Sequence, residues 1–212
     1  MNLALFGATG PTGMNLLERA IAGGDTIRAL ARTPERLSHF RDRVTVIHGD
    51  VLDERTVAEA IVPGTDAVLS ALGVPPSQRD TSFTLRRGMH NILSAMRASG
   101  TRRVLAVSAS ALYVDSFDNL LLRIAKPALQ RLFAKMYDDL RAMDSELEGA
   151  QCDWTSVVAP QLNNKPPTGQ YRVAVGHNLP RGYSITRADL AHSMFDLILD
   201  TSAFRRRVFV AN

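Results

Sequence analysis

Short apolar runs alternate along this chain with stretches in which apolar residues recur every three or four positions. The first run, residues 3–6, is too short for a helix and carries no turn former, so it reads as a buried strand of the kind a parallel sheet encloses. Met14, Leu17 and Ile21 then mark one face of a helix that Pro11 or Thr12 opens and Gly23-Gly24 ends. The couplet repeats. A strand at 26–31 leads to a short helix that Thr33-Pro34 caps and that carries Leu37 and Phe40. A strand at 44–48 leads to a helix from Asp53 through Ile61, and Pro63-Gly64 stops it before a strand at 67–71. Ser82 begins a helix bearing Leu85, Met89, Ile92, Leu93 and Met96 as far as Gly100, followed by a strand at 104–107. Residues 115–147 are mostly helical in pattern, with an interruption predicted at Lys126-Pro127 because the residue before proline resists helical geometry. A sixth strand spans 154–158.

Such alternation with short connections predicts an α/β fold, a doubly wound parallel sheet of the Rossmann type, formed as a single domain over residues 1–212. Residues 162–184 depart from the couplet. They hold an alternating segment at 171–175 among turn residues and predict a small insertion over the strand ends, on the side where a substrate would enter. Thr186 and Asp189 then resemble a capping box at the head of a helix bearing Leu190, Met194, Leu197 and Ile198, and a strand at 208–210 is predicted to close the sheet.

Chemistry enters at the first turn. Gly7, Gly10 and Gly13 stand three apart between strand and helix, in the segment Gly7-Ala8-Thr9-Gly10-Pro11-Thr12-Gly13. Gly7 allows the sharp turn, Gly10 lets a phosphate approach the backbone, and Gly13 allows helix and strand to pack closely. The free N–H groups of the helix start would hold a diphosphate. About 20 residues on, an enzyme that uses NAD carries an acidic residue for the ribose 2′-hydroxyl. This chain carries Arg32 there, with Arg36 one turn later, and guanidinium groups suit a 2′-phosphate. The predicted cofactor is therefore NADP(H).

Bulk properties narrow the class. With 212 residues, 45% of them hydrophobic, the chain can bury one core. A strand beginning at residue 2 or 3 leaves no room for a leader, and no apolar stretch approaches the ~20 residues of a membrane span, so a cytoplasmic protein without a membrane role is expected. The lone Cys152 reads as a packing residue, and the five histidines lack metal-ligand spacing. A net charge of +4 and a pI near 9.6 suit an anionic small molecule. Nucleic acid is disfavoured because the arginines are scattered; the one run, 205–207, reads as a solvated strand edge.

Further segments match a known family: Arg32 and Arg36 within Arg-Thr-Pro-Glu-Arg-Leu, Gly49-Asp50-Val51-Leu52, Asp66-Ala67-Val68, Leu72-Gly73, Asn91-Ile92, and Pro167-Thr168-Gly169 with Tyr171. Together with the glycine loop they resemble the atypical short-chain dehydrogenases/reductases, NAD(P)H-binding proteins of the NmrA-like kind, and within them the flavin reductase (NADPH), or biliverdin reductase B, branch. The resemblance implies that Asp50 and Val51 bracket the adenine and that Leu72-Gly73 pass beneath the cofactor ribose. It also implies that Val107 and Ser108 lie beside the nicotinamide, with Pro160, Gln161 and Leu162 among the cofactor-binding residues.

NADPH would supply a hydride, and few catalytic side chains are then needed. Ser108 and Ser110, after the fifth strand, are the polar candidates, and Tyr113 could line the pocket or pack on the long helix. The only counterpart of a Tyr-x-x-x-Lys dyad is Tyr137 with Arg141, and arginine does not titrate readily. The chain departs from the branch pattern at Ala109, where a serine is usual, at Gln161, where a histidine follows proline, and at Gly73-Val74-Pro75-Pro76, which lacks a basic residue. These departures point away from a tetrapyrrole and toward a flat acceptor, a flavin or quinone, that solvent can protonate. The alternatives are a non-catalytic NADP(H) redox sensor that signals to a protein partner, and a sugar-nucleotide epimerase, which would want the dyad and a larger substrate domain.

Overall fold

The leading apolar run becomes a central strand because Leu3, Ala4, Leu5 and Phe6 are all buried, alternately against helices on the two faces of a sheet. The computed structural model describes residues 1–73 and 83–212. Its first half runs β1 (Asn2–Phe6), α1 (Pro11–Ala22), β2 (Thr26–Ala31), β3 (Val44–His48), α2 (Glu54–Ala60), β4 (Ala67–Ser70), α3 (Thr84–Ser99) and β5 (Arg103–Ala109). There follow α4 (Leu120–Leu132), α5 (Ala134–Glu148), β6 (Asp153–Ala159), β7 (Gln161–Asn163), β8 (Arg172–Val175), β9 (Ser184–Thr186), α6 (Arg187–Asp196) and β10 (Arg206–Ala211). Eight strands form one sheet in the order β3-β2-β1-β4-β5-β6-β10-β8, parallel except where β8 meets β10, while β7 and β9 form a separate parallel pair. This is the doubly wound, Rossmann-like architecture. Helices α1 and α6 cover one face with Leu5, Leu105 and Val157, and α2, α3 and α5 cover the other with Phe6, Val104 and Ala106.

The chain builds outward from β1 through β2 to β3, then starts again on the other side of β1 with β4. The loops leaving β1 and β4 therefore diverge, and a crevice opens at the carboxyl ends of the two strands.

Several elements differ from the residue pattern. Ser82 lies outside the described residues, and α3 begins at Thr84 after Phe83, whose φ of 50° and apolar side chain make it no cap. The cap comes instead from α5: buried Asp139 accepts hydrogen bonds from the backbone N–H groups of Leu85 and Arg86, both at 3.0 Å. No interruption occurs at Lys126-Pro127. Helix α4 runs through Pro127 and the break falls at Phe133 (φ −115°, ψ 36°), because Lys126 is fixed in helical geometry by its own ammonium, which donates to the Asp118 carboxylate and the Tyr113 carbonyl. Residues 34–40 form a 3-10 turn that the Thr33 side chain does not cap.

The capping box at Thr186 is half made. The Thr186 hydroxyl accepts from the Asp189 N–H at 2.9 Å, while the Asp189 carboxylate turns away to the Thr168 N–H and hydroxyl, the Gly169 N–H and the Asn212 amide. Burial works against that charge, but the hydrogen bonds from the Thr168 N–H and hydroxyl and from the Asn212 amide outweigh it and bring the carboxyl down to about 2. Within the segment 162–184, β8 pairs with β10, so the sheet ends on β8 and not on the strand at 208–210. Nor is 205–207 simply a solvated edge. The Arg207 guanidinium pairs with Glu148 and lies 4.7 Å over the Tyr113 ring, and Arg205 donates to the Cys152 carbonyl. Cys152 itself is buried in packing.

Candidate functional site

The loop from β1 to α1 owes its shape to two glycines. Gly7 sits at φ +79°, and a Cβ there would stand 2.4 Å from the Ala71 carbonyl oxygen; a Cβ on Gly13 would stand 2.1 Å from the Gly7 carbonyl oxygen. The loop is thus pressed between the end of β4 and the first turn of α1. Gly10 differs, because a Cβ there would approach only the Gly7 carbonyl oxygen, at 3.3 Å. It is also the N-cap of α1, with no side chain to cap the helix and no acidic residue in the first turn. The result is a bare backbone cradle at the positive end of a twelve-residue helix.

That cradle forms one wall of a crevice of about 800 Å³. Thr9, Pro11 and Thr12 line it beside Gly7 and Gly10, and each following strand adds residues from its carboxyl end: Arg32 and Arg36 after β2, Asp50 and Val51 after β3, Leu72 and Gly73 after β4, Val107 in β5. The Val51 segment is held from α3, where the buried Asn91 amide donates to the Val51 carbonyl at 2.9 Å. Asp50 has a second role, its carboxylate accepting the Leu52 N–H at 2.9 Å to fix the turn. Arg32 and Arg36 are exposed, and their side chains have no hydrogen-bond or ion-pair partner among the described residues. Arg187, the first residue of α6, reaches the crevice while donating to the Asn164 side chain at 2.6 Å. Three arginines and one carboxylate, Asp50, are thus the charged groups among the described lining residues. An uncapped helix start, an open Gly10 and unpaired guanidinium groups fit a dinucleotide with an extra phosphate.

The NAD(P)H-binding family matches residues 7–201, nearly the whole chain. The chain belongs to that family. It is 31% identical over 115 residues to N-acetyl-α-D-glucosaminyl-diphospho-ditrans,octacis-undecaprenol 4-epimerase of Escherichia coli O157:H7, an alignment covering 53% of this chain and 33% of that relative. The chain therefore spans about a third of the length of that curated relative. Among solved structures, the anaerobillin reductase ChuY of Escherichia coli O157:H7 is similar with a TM-score of 0.80 and 20% identity, covering 100% of this chain and 97% of that one. A short-chain dehydrogenase/reductase of Veillonella parvula DSM 2008 in complex with NADP is similar with a TM-score of 0.80 and 19% identity, covering 100% and 94%. At these identities the likeness is one of fold.

For this member of the NAD(P)H-binding family, the crevice collects most of the residues singled out for cofactor contact, but not all. Gly13 lies beneath the loop as a packing position. Pro160 and Gln161 are not among the lining residues, whereas Leu162 is. The catalytic candidates stand apart. Ser108 is buried, and its hydroxyl donates to the Asp144 carboxylate at 2.6 Å; the Tyr113 hydroxyl donates to the same oxygen at 2.6 Å, and Ser156 donates to the other at 3.0 Å. Asp144 projects from α5 onto the sheet face opposite Val107, which explains why Ser108, one residue on, turns away from the crevice. Burial pushes the Asp144 carboxyl up against the pull of its three hydroxyls, and burial with the nearby carboxylate pushes the Tyr113 phenol up as well. Ser110 begins a 3-10 turn and is not among the lining residues. Tyr137 packs in the core and Arg141 turns to Asp138 and Gln130, so the two do not form a dyad.

Arg187, Thr84, Leu85 and Asp144 were not found from the sequence. Arg187 left a signal there: a cation in the first turn of a helix opposes the helix dipole, so it calls for a reason outside the helix.

Proposed function

We propose that this protein is an NADPH-dependent oxidoreductase that passes hydride to a planar conjugated acceptor such as a flavin or a quinone. The observation carrying the choice of NADPH is the pair Arg32 and Arg36, exposed and unpaired among the described residues, at the carboxyl end of β2. An enzyme built for NADH carries a carboxylate at that place, which would repel a 2′-phosphate. The bound cofactor supplies the hydride. The protein's own residues do the rest: the loop from Gly7 to Gly13 and the first turn of α1 would hold the diphosphate, the two arginines would take the 2′-phosphate, and Asp50 and Val51 would flank the adenine.

Among the described lining residues there is no His, Lys, Tyr or Cys. Among these described residues no such side chain is therefore placed to donate a proton near neutral pH, which favours acceptors whose reduced ring water can protonate. The solved neighbour named as an anaerobillin reductase supports reduction as the reaction class. The same shortage of donors favours one other reading, an NADP(H)-binding sensor that does not turn over and signals to a protein partner. The epimerase reading lacks its dyad, since Tyr137 and Arg141 point apart.

The test combines binding and turnover. Arg32→Ala should weaken NADPH binding by roughly tenfold to a hundredfold, the worth of about 1.5–3 kcal/mol for a charge-assisted hydrogen bond, and leave NADH binding nearly unchanged. Equal losses for both would remove Arg32 from its role. Mixing the protein with NADPH and FMN, then with quinones, should oxidise the nicotinamide; tight binding with no oxidation across the set would make the protein a sensor.

A further inference from the structure

Helix α4 is built inside out. Lys126, only 5% exposed, faces inward and donates from Nζ to the Asp118 carboxylate at 2.7 and 2.8 Å and to the Tyr113 carbonyl at 2.8 Å. Gln130 also faces inward and donates to the Ala111 carbonyl at 2.6 Å. The apolar side chains face water instead: Leu120 is 74% exposed, Leu121 72%, Ile124 64% and Leu132 74%. At 3.6 residues per turn these four fall within about 120° of arc, one continuous stripe along the helix. Eight of the fourteen large apolar side chains exposed among the described residues lie between Val114 and Phe133. A stripe of this kind gains nothing for the fold by facing solvent, and it marks a contact surface.

Charge says what the contact is. From Asn119 to Tyr137 the chain holds Arg123, Lys126, Arg131 and Lys135 and no acidic residue, although the whole chain is nearly balanced at 25 basic to 21 acidic. Arg123, Arg131 and Lys135 are exposed and have no carboxylate partner among the described residues. A second copy of this chain would set these cations against their own kind across a two-fold axis, with no acid on the segment to relieve them. We propose that α4 docks the protein on the surface of an anionic lipid bilayer, its leucines and Ile124 entering the interface while the flanking cations meet headgroup phosphates. Protruding aliphatic side chains beside long cationic ones is the arrangement of a helix that lies in a membrane surface. No helix among the described residues is long and apolar enough to cross a membrane, so α4 lies on the bilayer and does not span it. The inference does not depend on the cofactor reading.

The test is flotation of the full chain with vesicles of phosphatidylcholine mixed with phosphatidylglycerol, beside vesicles of phosphatidylcholine alone. The mixed vesicles should carry up at least about tenfold more protein, with the excess falling as salt rises. The double variant Leu121→Glu/Ile124→Glu should lose that excess, and Arg123→Gln/Arg131→Gln should lose most of it. All four side chains are exposed, so thermal unfolding should stay as in the parent protein and report that the variants fold. No flotation at low salt, or equal flotation with both vesicles, overturns the proposal. So does a concentration-dependent dimer that Leu121→Glu/Ile124→Glu dissolves while vesicles bind neither form.

Discussion

Two glycines in one loop lead to opposite expectations. At Gly10 an added side chain would point into the crevice and meet little else, its nearest neighbour being the Gly7 carbonyl oxygen at 3.3 Å; at Gly13 it would overlap that oxygen at 2.1 Å. Gly10→Val should therefore still fold, with a much smaller drop in unfolding temperature than Gly13→Ala because the Gly7 carbonyl need give way by only a few tenths of an ångström, while losing NADPH and NADH binding alike. Gly13→Ala should lose several kcal/mol of stability, since backbone and not a movable side chain blocks the methyl group. Thermal unfolding with a binding titration on both variants checks the pair, and retained binding in Gly10→Val would move the cofactor out of this loop. Much at this scale was legible. The glycines, Arg32 and Arg36 stand at spacings from the first two strands that chain order alone fixes, whereas Asp50 and Leu72 were marked by the resemblance to the NAD(P)H-binding reductases. Ser108 and Tyr113 were not legible, because their hydroxyls are claimed by Asp144, 36 and 31 residues away in sequence.

Elements were read where their signals are local. Period and punctuation gave α1, α2 and the parallel strands within a residue or two. They misplaced the break in the long helical stretch because Lys126 is fixed by Asp118 and Tyr113, and they gave no cap for α3 because its acceptor comes from α5. That borrowed cap predicts its own cost. Asp139→Ala should lower unfolding stability by about 1–2 kcal/mol, as a lost N-cap does, measured by denaturant titration. It should also loosen the crevice, since Thr84 and Leu85 line it from the capped turn.

Across the whole molecule, Asp189 joins parts that sequence order keeps distant: α6, the Thr168-Gly169 turn and the Asn212 side chain. Its carboxyl is held at about 2, below the ~3.9 of an unfolded aspartate. The unfolded chain therefore binds the proton first as the medium is acidified. The stabilisation is fully present above about pH 4 and is lost as the pH falls toward 2. Denaturant midpoints across that window should fall more steeply for the parent protein than for Asp189→Asn; parallel curves would show that the carboxylate does not tie these parts together. The doubly wound sheet and its crevice followed from the alternation of strand and helix. The last strand did not, since β8 belongs to a segment whose pairing with β10 rests on contacts no local pattern announces.

That added strand also bears on how the protein behaves among its own copies. The flank of the sheet beyond β10 ends in four residues running against the rest, and the Arg172 guanidinium there is already engaged by the carbonyls of Pro180 and Asn212. So brief a ledge offers an incoming chain few backbone groups to ladder onto, and growth into fibrils from that flank is blunted.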